Sequence, residues 1–356
     1  TRSAVVRGRG GPPQEVAHRG DEGVGAGPHD LAVSFLNDAW GGTPETDRNL
    51  YLDAVEYDGV EWHRLDVAEP TAAGRLREIV AGADAVVDLV WVIRPNRDRD
   101  HLRAVNVAGN ERVFRAVAEA GVPHLVYASS VGAYGPGPKG RAVPESHPTT
   151  GVPTSHYAAQ KAEVESILDR VQAEHPELLV TRLRPGLIFQ SAAGPEIKDY
   201  FLGDLVPARL VARLRTPVLP FPRGLRFQAL TAQDVADAYW RVIAHRAGGA
   251  FNVAADPVLD AHTMGTVLGA RRILELPVGL FRAAAALTYR ARLQPTDPGW
   301  VDMAAAVPIM DTTALRAATG WSETTDAREA VRLVLDHLDG AEGLGNAGHR
   351  SHSPTE

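Results

Sequence analysis

Between residues 59 and 189, short apolar runs alternate with helix-length periodic segments, and few folds accept that alternation. Residues 60–67 alternate as a strand does. Residues 72–81 gather Leu76, Ile79 and Val80 on one helical face. Residues 85–93 (AVVDLVWVI) are almost continuously apolar, as a strand buried on both faces is. A helix is expected over 101–120, where Leu102, Val105, Val113 and Val117 recur at three- and four-residue steps, with Gly121 and Pro123 closing it. A strand over 124–129, a Gly/Pro-rich loop over 132–153, a helix over 155–173 and a strand over 178–183 follow. This order specifies an α/β fold with a doubly wound parallel sheet.

The regularity has limits at both ends. Gly and Pro cluster at residues 7–13 (RGRGGPP) and 23–28 (GVGAGP), and only the runs at 4–6 and 31–36 are apolar, so the first fifty residues read as loop-like. After Pro185 the pattern loosens. A helix is expected over 231–245 from a Thr-x-x-Asp start, a strand over 250–254 and a last amphipathic helix over 324–338. The organisation expected is an atypical or poorly ordered N-terminal segment at 1–50 in place of the usual first β-α-β unit. A core follows at 51–189 with 228–256, then a smaller substrate-binding region at 190–227 with 257–338, and a disordered tail at 339–356.

Composition removes several function classes. The 356 residues carry a net charge of −7 and no cysteine, which excludes disulfides, thiolate catalysis and Cys-ligated zinc. The 13 histidines show no HExxH or paired-ligand spacing, so no metal is expected. The charge-dense stretch at 94–103 is mixed in sign and reads as a solvated loop, so no nucleic-acid partner is expected. No apolar run reaches the roughly 18 residues of a membrane helix. Residues 1–11 lack the apolar core of a signal peptide. A cytoplasmic protein with a small-molecule partner is the expectation.

Two short motifs carry chemistry. In YAAQK, Tyr157 and Lys161 stand at i and i+4 and share a helical face. A free phenol ionises near pH ~10, and a neighbouring ammonium favours the phenolate, which lets a tyrosine exchange protons with a carbonyl or alcohol oxygen. In YASSVGAYG (127–135), a buried strand ends in Ser129 and Ser130, and ligand sites in open α/β sheets lie at the carboxyl ends of strands. Taken singly, the first is also an ordinary helix-surface pair and the second a serine satisfying its own backbone.

Together, and in this order, the motifs resemble the extended short-chain dehydrogenase/reductase family in its NAD-dependent epimerase/dehydratase branch. Further segments fall in sequence with it: Asp66-Val67; the run at 84–89 (DAVVDL), with Asp88 where the family has His; Asn106-Val107-Ala108-Gly109; Leu183-Arg184-Pro185-Gly186; the stretch 227–238; Phe251-Asn252-Val253; and Thr319-Gly320-Trp321. The resemblance spans about residues 59–338. It implies a Rossmann-like fold and NAD or NADP as cofactor. It also implies Tyr157 as general acid/base, Lys161 lowering its pKa and holding the nicotinamide ribose, Ser130 orienting the substrate oxygen and Asn106 organising the site. The cofactor-binding residues it implies are Gly8, Gly11, Asp66, Val67, Leu89, Val90, Ser129, Tyr157, Lys161, Pro185 and Ile188. A homodimer through the helices after Asn106 and around Tyr157 is implied as well.

The resemblance breaks at the start. The family opens with a strand, a T-G-x-x-G-x-x-G loop and a helix whose N-terminus meets the pyrophosphate. Here the strand-like run at 4–6 leads into Gly8-x-x-Gly11, but Pro12 and Pro13 remove donors and Gln14 stands at the third glycine position. The alternative, Gly20-x-x-Gly23-x-x-Ala26, has the spacing but no good strand before it; Asp38 would then be the ribose-binding acid. Three readings stand open: degenerate cofactor binding, lost cofactor binding in a ligand sensor or scaffold, or an altered N-terminus. Trp91, where the family has a small residue, is expected to pack or to narrow the nicotinamide pocket.

Overall fold

The computed structural model describes residues 2–8, 31–37, 60–93, 97–190, 218–294 and 296–344. Two compact units emerge: Thr1–Gly186 with Gln233–Val253 and Ala306–Ser322, and Leu187–Ala232 with Ala254–Ala305 and Glu323–Glu356. Residues 187–189, 228–232 and 254–256, expected in the core, fall in the second unit, and residues 306–322, expected in the substrate-binding region, join the first. The latter do so where β6 (Ala142–Val143) pairs in parallel with β14 (Ile309–Met310).

The first unit is built on seven strands: β1 (Arg2–Gly8), β2 (Leu31–Asn37), β3 (Val60–Leu65), β4 (Ala85–Leu89), β5 (His124–Ala128), β7 (Leu179–Pro185) and β11 (Gly249–Val253). Their order across the sheet is β11-β7-β5-β4-β2-β1-β3. The neighbours β2, β4, β5, β7 and β11 run parallel, and β1 runs antiparallel to both β2 and β3. The doubly wound fold is thus the one observed. The apolar run that begins at Ala85 is a central strand, with Ala85, Val86 and Val87 buried, which is why it lacks alternation.

Crossover helices cover the sheet: α1 (Ala72–Val80), α2 (Arg99–Arg103), α3 (Asn110–Glu119) and α4 (His156–Glu174). Leu76, Leu102, Phe114, Leu125 and Leu168 join one buried core, and Phe114 meets Tyr127 edge-on at 5.2 Å. The helix expected over 101–120 is interrupted. Residues Ala104–Gly109 form a π-helical segment between α2 and α3. Two local contacts accompany the wider turn: the Asn106 side chain bonds to the Val92 backbone, and a Cβ at Gly109 would lie 2.8 Å from Val67 Cγ2.

The first fifty residues differ most from expectation. Two of their segments, β1 and β2, are strands of the main sheet. In a doubly wound sheet of order 3-2-1-4-5-6, the strand beside the fourth leads into the phosphate loop. Here that place belongs to β2, which ends at Asn37. β1 takes the next place with reversed direction.

One buried histidine in this sheet gives a pH test. His124 is 1 % exposed. The Thr181 hydroxyl donates to the Ala247 carbonyl, so it accepts from His124 Nε2 at 2.8 Å. Burial, with Arg246 nearby, holds the imidazole down at about 4. A histidine whose folded pKa lies below its unfolded value of ~6.5 contributes stability that is full above that value and fades as pH falls toward the folded one. Urea denaturation is expected to show stability declining between pH 6.5 and 4, with a flatter decline in His124→Gln. Parallel declines in the two proteins would rule His124 out as the cause.

In the second unit, β8 (Leu187–Phe189), β10 (Phe227–Thr231) and β12 (Ala255–Leu259) make a three-stranded sheet, and β9 (Val218–Pro222) pairs in parallel with β13 (Arg272–Leu276). The last helix, Ala327–Leu344, buries Ala327, Ala330 and Val331 and runs six residues beyond the expected stop at 338. No helix among the described residues is long and apolar enough to cross a membrane.

Candidate active site

The carboxyl ends of β4 and β5, with helix α4, assemble the candidate site. Ser130 follows β5 in an extended conformation and caps the short turn Val131–Ala133, its Oγ accepting from Gly132 N at 3.0 Å. α4 begins at the Ser155 cap, so Tyr157 lies in its first turn and Lys161 one turn later. Gly151 lets the preceding loop reach this helix: its φ is +63°, its N–H donates to Ala133 O at 3.0 Å, and a Cβ there would lie 2.6 Å from Ala158 O.

Tyr157 and Ser130 are joined by a hydrogen bond between their side chains. Burial pushes the Tyr157 phenol up to about 12, with the Ser130 bond pulling the other way. Lys161 is buried. It donates to Ala128 O at 2.7 Å and, at 3.4 Å, to the Tyr127 hydroxyl. Its Nζ lies 3.6 Å from the centre of the Trp91 ring. Burial holds its ammonium down at about 7, against the pull of Asp88 and Glu165. This differs from the expected arrangement, in which Lys161 lowers the Tyr157 pKa. The ammonium is engaged by a carbonyl and an indole face, and burial dominates the phenol.

Asp88, which replaces the family's histidine, is fully buried in β4. Burial raises its carboxyl to about 7, opposed by the Val90 amide and by Lys161. Oδ1 accepts from Val90 N at 2.9 Å, whereas Oδ2 is buried without a hydrogen-bond partner. Asn106 holds the chain beyond β4: Oδ1 accepts from Val92 N at 2.7 Å, and Nδ2 donates to Val92 O and to Gln160 Oε1. It positions the strand end and helix α4 together.

Ser130, Tyr157, Lys161, Asn106, Leu89 and Val90 are therefore gathered at one edge of the first unit. Ser129 is buried, but its hydroxyl is committed to Glu165. Pro185 ends β7 beside Val253. Asp66 closes the turn after β3, its Oδ1 accepting from Ala68 N, and Val67 packs against Gly109. Ile188 belongs to the second unit, on β8. Gly8 is set apart. It ends the reversed strand β1 opposite Leu31 and Val60, the first residues of β2 and β3, and so lies at the amino edge of the parallel strands. Gly11 and the alternative glycines at 20 and 23 lie outside the described residues. Sequence reasoning overlooks the cluster of Glu165, Tyr134 and Glu145 around Arg184; Glu165, four residues after Lys161 on the same helical face, is the available signal.

The NAD-dependent epimerase/dehydratase family profile matches residues 39–254, more than half of the chain. The chain belongs to the NAD-dependent epimerase/dehydratase family. A profile for a Ca-dependent, xylan-binding carbohydrate-binding module matches residues 6–68, most of which lie outside the described residues. Solved structures, an epimerase and a dehydratase among them, share the fold. One is the Thermus thermophilus UDP-glucose 4-epimerase complexed with NAD, 22 % identical over 78 % of this chain and 84 % of that one, with a TM-score of 0.54. Another is DesIV, a dTDP-glucose 4,6-dehydratase from Streptomyces venezuelae with NAD bound, 17 % identical over 78 % and 79 %, at 0.57. A third is RMD from Pseudomonas aeruginosa with NADPH, 19 % identical over 78 % and 88 %, at 0.54.

The family's cofactor is NAD. The residues of this edge fit a nicotinamide riboside except at one point. Ser130 and Tyr157 are hydrogen-bonded to each other, but the Lys161 face that would meet the ribose is covered by Trp91.

Proposed function

We propose that this chain is a cytoplasmic, NAD- or NADP-dependent oxidoreductase or epimerase acting on an alcohol or carbonyl substrate. Ser130 orients the substrate oxygen and Tyr157 exchanges its proton. The observation that carries this reading is the Ser130–Tyr157 hydrogen bond one helical turn from the buried Lys161. A phenol near 12 is protonated at neutral pH, so the resting tyrosine is set as an acid, able to donate to an oxygen that gains negative charge. In the reverse direction it must first give up that proton, which a cation drawn closer makes easier. When bound, the nicotinamide supplies or accepts the hydride. Two of the similar structures are enzymes named for nucleotide sugars, so a sugar nucleotide is the first substrate class to test. A homodimer through α3 and α4 belongs to the same proposal and is read directly by sedimentation.

The second reading is a ligand sensor or scaffold without turnover, and the Trp91 ring over Lys161 favours it. Calorimetric titration with NADH and NADPH separates the two. Saturable binding, weakened about tenfold or more in Lys161→Ala, is the outcome expected of an enzyme. Absence of binding to the folded protein would sink the enzyme reading and leave the sensor.

A further inference from the structure

Two features of Trp91 point the same way. Its ring takes the face of Lys161 that is left over once Nζ has bonded to Ala128 O and Tyr127, and its edge contact with Tyr157 spans 5.6 Å between centroids. Its indole Nε1 is buried with no acceptor. A buried donor without an acceptor costs free energy, so the ring is held in place by Lys161 and Tyr157 and not by its own polar group.

We propose that Trp91 gates the nicotinamide end of the cofactor site: the ring must leave Lys161 before a riboside can reach that ammonium, and it sets cofactor affinity by doing so. This rests on the cofactor reading above. Displacement exchanges a desolvated cation–π contact for ribose hydrogen bonds to Lys161, and it gives Nε1 a chance to meet water or a ligand oxygen. Removing the ring removes a competitor from inside the protein.

The test compares the wild type, Trp91→Ala and Trp91→Phe in calorimetric titrations with NADH and with ADP, which carries the adenine half alone. Trp91→Ala is expected to bind NADH about tenfold tighter or more, the scale of a buried cation–π contact, with ADP affinity unchanged. Trp91→Phe keeps a smaller ring and is expected to fall between. NADH is also expected to change the indole emission of the wild type, and that change should be smaller in Trp91→Phe, which keeps five of the six tryptophans. Should Trp91→Ala fail to fold, the Phe variant carries the comparison. Equal or weaker NADH binding in the folded variants overturns the gate but leaves the cofactor reading standing. No NADH binding by any of the folded proteins fails the cofactor reading itself, and the gate with it.

Discussion

Tyr157→Phe is expected to lower turnover by about 10²–10⁴-fold, the usual contribution of a positioned acid or base, while the protein stays folded. The substitution removes one oxygen. The aromatic ring keeps its edge contact with Trp91, and the Ser130 hydroxyl loses one partner but keeps the Gly132 amide. The loss of a hydrogen bond of this kind costs about 1 kcal/mol of stability, well short of unfolding. The pH profile separates an acid from a spacer. In the oxidative direction, the wild-type rate should climb with pH as the phenol, pushed up to about 12, gives up its proton more readily. The residual rate of the variant should lack that climb. Steady-state kinetics with the substrate found by screening decides it: a turnover within a few-fold of wild type would take Tyr157 out of the chemistry.

The candidate site is legible in the sequence where its signals are local and ordered. Tyr157 and Lys161 announce themselves by helical spacing, and Ser130 by its place after a buried strand. The central strands follow from their unbroken apolar character. What stays hidden depends on strand direction and on side-chain packing. The run at 4–6 has the apolarity of a first strand, but apolarity does not say which way a strand runs. Only pairing with β2 and β3 reveals that Gly8 ends at the wrong edge. The run at 31–36 is equally apolar, but the Gly and Pro around it give its surroundings a loop-like character. The coupling of Lys161 to Trp91 crosses 70 residues of sequence, and no spacing rule reports it. The π-helical segment is just as invisible, and the bond from Asn106 to Val92 that accompanies it is tertiary.

Removing one partner of the Arg184–Glu165 pair is expected to cost about 3–5 kcal/mol of stability, several times what an exposed ion pair contributes. The pair is 4 % and 2 % exposed in its side chains and forms a fork, Nε to Oε1 at 2.8 Å and Nη2 to Oε2. It is the centre of a wider set of bonds. Arg184 Nη1 donates to Glu145 O and to the Tyr134 hydroxyl, Ser129 donates to Glu165, and Tyr134 donates to Asn252, whose side-chain amide reaches Asp311 O. The ends of β5, β7 and β11 and the loop before α4 are therefore tied through one buried ion pair. Burial alone pushes the Glu165 carboxyl up, yet Arg184, Ser129 and Arg182 hold it below its usual value. A carboxylate with a depressed folded pKa contributes stability that is present above its unfolded pKa and is lost as pH falls through the folded one. In Arg184→Met the sign reverses. The carboxyl keeps its burial but loses its main cation, so its folded pKa rises above the unfolded value and protonation relieves the strain. The deficit of Arg184→Met measured in urea should therefore shrink between pH 7 and pH 5. The double variant Arg184→Met with Glu165→Leu should recover part of the loss at pH 7, because no unpaired charge remains buried. A single-variant cost under about 1 kcal/mol, the scale of an exposed ion pair, would mean that water reaches the pair and that the ties around it are weaker than the packing implies.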